Sequence, residues 1–335
     1  MAVAGGTYNV VYPTNPVIMI NGVSLYGGFD PASWTRNITA NTTTIQDTSD
    51  VGGICNGSAT QTRALDTGNA GAGDYLDGFT IIGGTGAAAS SVYVNSSSTL
   101  NITNNNIYGG PGGISTHTGI CIRGNAKIER NYISGGYGTA NSPEAVQIFE
   151  GAPEIYNNII FSGTGTGQML GVRINSTEAY RVINNTIYAP GGSSMGFRIQ
   201  GTSGSGIISN NIVYASIYCI FEQLSGLSVG IVANNNFFNC STIYYDNGGD
   251  GNCNLSETND LSGASGNISE NPLFISPGSD YRLQSGANCE TREGGVNQIT
   301  YTTIDYTGIT RTAVDTCGPL NANADGWSIG AYEQN

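Results

Sequence analysis

The chain has 335 residues, 50 of them Gly, and sets 11 Lys and Arg against 24 Asp and Glu, for a formal charge of −13. So acidic a chain offers no basic face to phosphates, which excludes nucleic acid as a partner, and its Gly and Asn load excludes a coiled coil. No stretch approaches the roughly 20 apolar residues that span a bilayer, and a hydrophobic content of 39% separates it from disordered chains.

The opening residues, from Met1 to Asn9, read as a strand and a turn. No secretory leader is visible, so a native leader is expected to have been removed upstream of Met1. VSLYGGF (23–29) looks like an early copy of a unit that recurs later, and the Thr-rich stretch from Thr42 to Thr48 reads as a loop. Residues 1–75 are thus expected to form early, less regular coils. From residue 76 the chain repeats itself. The copies are LDGFTIIGG (76–84), LNITNNNIYGG (100–110), AKIERNYISGG (126–136), PEIYNNIIFSG (153–163), RVINNTIYAP (181–190), GIISNNIVYAS (206–216) and GIVANNNFFNC (230–240). Aligned on the second residue of the Asn pair, they place Asn105, Asn131, Asn158, Asn185, Asn211 and Asn235 at steps of 26, 27, 27, 26 and 24 residues. Phe79 fills the same slot in the first copy. A weaker copy, NISENPLF, places Asn271 after a step of 36, with the polar insertion Asp246 to Asp250 in between.

A 26-residue period with this Gly, Asn and β-branched content is not helical. Each unit holds short apolar strands divided by Gly, Asn and Ser turns. One strand precedes the Asn pair (Ile102, Ile128, Ile155, Val182, Ile208, Val232) and one follows it (Ile107, Ile133, Ile160, Ile187, Val213, Phe237). A third alternates, as in Val146-Gln147-Ile148 and Val172-Arg173-Ile174, which puts one face inside and one outside. Each unit is therefore one coil of a solenoid whose strands pair in parallel with the next coil. The repeated Asn is expected to take the left-handed turn backbone and to stack its amide on the Asn one coil away. Asn105, Asn131, Asn158, Asn185, Asn211, Asn235 and Asn271 would form that internal ladder.

These units resemble the right-handed parallel β-helix repeat of the pectate-lyase-like superfamily. GGTYN with NGVSLYGGFDPASWTRNIT (21–39), and NPLF, DYRLQSGANC and WSIGAYE at the end, look like uncharacterised exported bacterial β-helix proteins. The resemblance implies an all-β fold, a right-handed parallel β-helix of roughly ten coils, exported to the bacterial cell surface or medium. Residues 1–275 are expected to form the β-helix and 276–335 a C-terminal cap that folds back on it. A superfamily with lyases, hydrolases, esterases, adhesins and tail spikes does not fix a function.

Seven cysteines show no CxxC pair and no nearby His, so no zinc site is expected. Cys240–Cys253 and Cys289–Cys317 are the disulfide candidates, with buried thiols as the alternative. That alternative is stronger for Cys121 and Cys219, which fall in strand-like segments. The single His117 sits in GGISTHTG and reads as a solvated loop residue. Asp246 and Asp250 are weak calcium candidates; no other cofactor is implied.

Outward positions of the alternating strand are the natural place for a site. One row reads Tyr93, Cys121, Gln147, Arg173, Arg198 and the other Asn95, Arg123, Phe149, Asn175, Gln200. Arg173 and Arg198 are 25 residues apart, one coil, in an otherwise acidic chain. Arg suits bidentate binding of carboxylate or sulfate. Arg123, Arg173, Arg198, Tyr93, Phe149, Gln147 and Gln200 are therefore candidates for a groove that takes an acidic glycan. The plainer alternative is neutralisation of the Arg pair by Glu150, Glu178 or Glu222. Glycoside hydrolysis needs two carboxylates across the bond, yet no Asp lies between Asp77 and Asp246. No catalytic residue is assigned. The leading expectation is a non-catalytic surface protein that binds a glycan or cell-surface polysaccharide. The alternatives are a lyase or hydrolase acting on acidic polysaccharide, and an assembly protein that docks through its N-terminal edge.

Overall fold

Each repeat unit wraps once around a common axis, as in Lys127–Glu129, Tyr132–Ser134 and Glu144–Ile148. Each of these strands then pairs in parallel with its counterpart one coil on: Ile128 with Ile155, Ile133 with Ile160, Val146 with Val172. In the computed structural model, residues 1–50, 55, 63–112, 115–138, 142–201, 203–224, 229–249, 251–298, 300–311 and 326–333 are described. Repetition of the unit builds three long sheets of ten, nine and ten strands, here A, B and C in the order the chain meets them. The result is an all-β parallel solenoid of about nine turns.

The inward columns are those the alternation marks. Ile102, Ile128, Ile155, Val182 and Ile208 in sheet A and Ile107, Ile133, Ile160, Ile187 and Val213 in sheet B are all 0% exposed. Each such side chain contributes about 1.5–3 kcal/mol by leaving water. Sheet C adds a second inward column of small residues. A Cβ at Gly196 would run into Val213 Cγ1 and the Cys219 carbonyl, so the strand Ser194–Ile199 can approach sheet B only with Gly there.

The turn from sheet A to sheet B splits between two residues the jobs assigned above to one. The first of the pair takes the left-handed backbone: Asn104, Arg130, Asn157, Asn184, Asn210 and Asn234 have φ between 53° and 57°. The second turns inward. The Asn105 backbone N–H and Nδ2 both donate to Asn131 Oδ1, at 2.9 and 3.0 Å. The same pair of bonds joins Asn131 to Asn158, Asn158 to Asn185, Asn185 to Asn211 and Asn211 to Asn235. Phe79 donates its backbone N–H to Asn105 Oδ1 at 2.9 Å, as its place in the repeat implies. At the other end the residue is Asn267, not Asn271. Asn235 bonds Asn267 Oδ1, and Asn267 in turn donates to Asn259 Oδ1 of helix α1 (Leu255–Asp260). Asn271 is exposed, and among the described residues its side chain accepts only from the Leu273 N–H. The insertion shifts the register, and the polar atoms that need a partner select Asn267.

Four further expectations are corrected. Thr43–Asp47 is a strand of sheet B, not a loop, with Thr43, Ile45 and Asp47 turned inward. His117 is fully buried in the strand His117–Ile122, with Nδ1 3.1 Å from the Gly109 carbonyl oxygen. Cys121 and Cys219 are not thiols: Cys55 pairs with Cys121, and Cys219 with Cys240. Cys219 and Cys240 are 21 residues apart, close to one coil, so stacking brings them together. Cys253, the expected partner of Cys240, is a buried thiol whose Sγ donates to Gly251 O at 3.8 Å. Cys289 is disulfide-bonded, and Cys317, its expected partner, lies outside the described residues.

The fourth concerns the C-terminal segment, which was expected to cap the solenoid. Its described part runs along the flank instead. Asn236 Nδ2 donates to Thr291 Oγ1 at 2.9 Å, Asn210 Nδ2 to Val296 O at 2.7 Å and Asn157 Nδ2 to Ile304 O at 2.7 Å. Tyr281, Leu283, Ile329 and Ala331 pack on Ile159, Tyr188 and Ile212, which point outward from sheet B. The strap thus buries an apolar outer face and satisfies amides that the left-handed turns push outward. The last coil is covered by α1 and by the antiparallel hairpin Thr242–Asp246 with Gly251–Cys253.

Candidate functional site

The outer face of sheet C carries the Arg row. Strand pairing aligns Asp66, Tyr93, Cys121, Gln147, Arg173, Arg198, Phe221 and Tyr245 in one column. Arg123, Phe149, Asn175 and Gln200 follow one residue after their strands, and the backbone N–H of each bonds the coil before. A spacing of 25 residues therefore does place Arg173 and Arg198 side by side, about 4.8 Å apart along the sheet.

The column divides into a covered and an open half. Tyr93 and Gln147, expected to line the groove, are only 6% and 5% exposed. The Cys55–Cys121 disulfide ties residue 55 down on this face, where it packs on Tyr93, Cys121 and Phe149. Arg63 stacks over the Tyr93 ring at 4.6 Å and pairs with Asp66 at 2.9 Å. Arg123 holds Glu150 through two hydrogen bonds and lies 5.4 Å from the Phe149 ring centroid. Beside that pair is an open cavity of about 700 Å³ lined by Arg123, Asn125, Phe149, Asn175, Ser176 and Glu178, among others.

The open half holds Arg173, Arg198, Gln200, Phe221 and Tyr245. Arg173 Nη1 donates to Glu144 Oε1 at 3.0 Å, and its Nε donates to Gln200 Oε1. Glu144 is 2% exposed and its Oε2 has no hydrogen-bond partner among the described residues. Burial pushes the Glu144 carboxyl up, against the pull of Arg173. Arg198 Nε donates to Gln223 Oε1 at 2.8 Å and its Nη1 to Gln168 Oε1 at 3.1 Å. Both acceptors are neutral. Burial and the neighbouring Arg173 lower the Arg198 pKa, against the opposing pull of Glu144. Phe221 and Tyr245 stack next to it, with centroids 5.1 Å apart and planes 18° from parallel.

Of the three acids considered as neutralising partners, Glu150 pairs with Arg123 rather than with Arg173 or Arg198. Glu222 lies in the inward column of sheet C, paired with Ile199, and receives a 2.6 Å hydrogen bond from Tyr244 Oη. Burial, opposed by Tyr244 and assisted by Asp246, raises its pKa to about 7. Sequence reasoning weighed Glu144 only as one of several scattered glutamates and not as a partner of Arg173, and it missed Gln223, Phe221 and Tyr245. The last two were detectable, since they continue the Arg slot by one and two coils. Asp250 lies outside the described residues, and Asp246 is engaged with Glu222. Among the described residues no group of three or more His, Cys, Asp or Glu is placed to hold a metal ion. No helix there is long and apolar enough to cross a membrane.

No curated protein and no solved structure matches this chain. The sequence profile described as "Right handed beta helix region" matches residues 88–271, which is more than half of the chain and includes Arg123, Arg173, Arg198, Phe221 and Tyr245. With its coils, parallel ladders and this match, the chain belongs to the right-handed β-helix family.

Proposed function

We propose that this is an exported, cell-surface or secreted bacterial protein that binds an acidic glycan, without cleaving it, along the outer face of sheet C. The fold is consistent with a carbohydrate-related or surface protein. The observation that carries the reading is Arg198: a half-buried guanidinium whose hydrogen bonds to the described residues go to neutral amides, one strand from Arg173 and beside the Phe221–Tyr245 stack. Guanidinium groups bind carboxylate or sulfate through paired N–H donors, and flat aromatic rings give apolar sugar faces a surface. The net charge of −13 does not forbid this. At physiological salt, charges beyond about 8 Å are largely screened, so the local Arg pair dominates at contact. A glycan array with wild type and the Arg173→Ala/Arg198→Ala double variant tests the reading. Retention of acidic glycans that disappears in the variant supports it; no binding by the folded protein overturns it.

Glu144 favours a second reading, a lyase or hydrolase acting on acidic polysaccharide. A carboxyl whose pKa burial raises against the pull of Arg173 and Arg198 has the environment of a general acid or base. Release of reducing ends or unsaturated products from polymers retained on the array, lost in Glu144→Gln, would establish it.

A further inference from the structure

The first position of the Asn turn holds one exception. Asn occupies it at 104, 157, 184, 210 and 234, whereas residue 130 is Arg, with the same left-handed φ of 57°. That backbone suits Asn and disfavours a long side chain, so an Arg there points to a use outside the turn. The Asn residues at this position are occupied. Asn157, Asn210 and Asn234 donate to carbonyls of the strap, and Asn104 donates to Asp77 Oδ2 at 2.6 Å. Among the described residues Arg130 makes no side-chain hydrogen bond or ion pair, and its buried Nε has no partner there.

Arg130 lines a cavity of about 420 Å³ between the segment around Thr39 and Thr42, the turn at Asn104 and Asn106, and the strap at Thr307. Thr80 closes the wall beside Phe79. No carboxylate side chain is among the lining residues, and the volume lies in the range of small-molecule sites. One guanidinium amid hydroxyl and amide groups is matched to a ligand with one carboxylate and several hydroxyls. We infer that this cavity binds a sugar acid: the Arg130 guanidinium takes the carboxylate, and the side chains of Thr39, Thr42, Thr80 and Asn106 take the hydroxyls.

The site is separate from the sheet C face, and its test distinguishes the two. Isothermal titration calorimetry is run with glucuronate, galacturonate and glucose on wild type, Arg130→Asn and Arg198→Ala. Arg130→Asn restores the residue the repeat uses at this turn, so the fold is kept, which a thermal melt verifies. The expected result is binding of at least one uronate by wild type and Arg198→Ala, at least tenfold weaker in Arg130→Asn, with no binding of glucose. Absence of uronate binding to wild type, equal binding to Arg130→Asn, or glucose bound as tightly as the uronates would overturn the inference.

Discussion

On the outer face of sheet B, Ile159, Tyr188 and Ile212 are buried beneath Phe274, Tyr281 and Ile329. On the outer face of sheet C, Arg173, Arg198, Phe221 and Tyr245 stay half-buried, and the described part of the strap packs on sheet B instead. Both faces come from the same repeat and the same strand pairing, so the scaffold does not account for the difference. Sheet B presents apolar columns that water penalises, and the chain covers them with its own C-terminal segment. Sheet C presents guanidinium, amide and aromatic groups that tolerate water. Outward groups that complete the fold are partnered within the chain; those that do not are the ones to examine for ligands.

The largest effects are expected where the covered flank is cut loose. Arg311 and Glu333 form an ion pair that is 0% exposed on both sides, and Arg311 Nη2 also donates to Asn157 Oδ1 at 2.8 Å. Arg311→Met strands Glu333 without its cation and is expected to lower unfolding stability by about 3–5 kcal/mol in a urea titration. A change below about 1 kcal/mol would mean that the strap is not held there.

Next is the interior that both faces share. Asn158→Ala removes the Nδ2 bonds to Ile128 O, Tyr156 O and Asn185 Oδ1 and leaves buried groups unpaired. It is expected to cost about 3 kcal/mol. The exposed Asn271→Ala should stay within about 0.5 kcal/mol. Equal losses at the two positions would refute the assignment of the ladder to Asn267.

The inward Glu222 gives a similar effect that depends on pH. Its folded pKa is raised from 4.5 to about 7, so the folded state holds the proton more tightly than the unfolded state. Stability is therefore full below the unfolded value and falls as pH rises from about 4.5 to about 7. The contribution lost is about 3 kcal/mol. Tyr244 and Asp246 contact this carboxyl, and Tyr180 lies close enough to be felt. In thermal melts at pH 5 and pH 8, Glu222→Gln should flatten this part of the pH dependence. An unchanged profile would locate the titration elsewhere.

The smallest effect on folding is expected on the open face. Arg198→Ala removes two hydrogen bonds to neutral amides and should change stability by less than about 0.5 kcal/mol. A loss above 2 kcal/mol would make Arg198 a structural residue and erase the contrast between the two faces.

Sequence reasoning reached the coil, the inward columns and the alignment of the Arg slots, because all three follow from one period read residue by residue. It failed where a long-range constraint breaks that period. The Cys55–Cys121 bond covers Tyr93, and nothing in the cysteine spacing reveals it. The flank position of the strap depends on outward amides at Asn157 and Asn210, which the pattern did not separate from the inward Asn. Asn267 replaced Asn271 because α1 offers Asn259 as the next partner, a feature of the insertion rather than of the repeat.

The central claim is that the open face of sheet C binds acidic glycan through Arg198. Native affinity electrophoresis in gels cast with polygalacturonate or with neutral dextran tests it most directly, with wild type, Arg198→Ala and Glu222→Gln run side by side. The account requires that wild type and Glu222→Gln be retarded by polygalacturonate and not by dextran, and that Arg198→Ala run freely in both. Wild type running freely in polygalacturonate, or Arg198→Ala retarded as strongly as wild type, would contradict it.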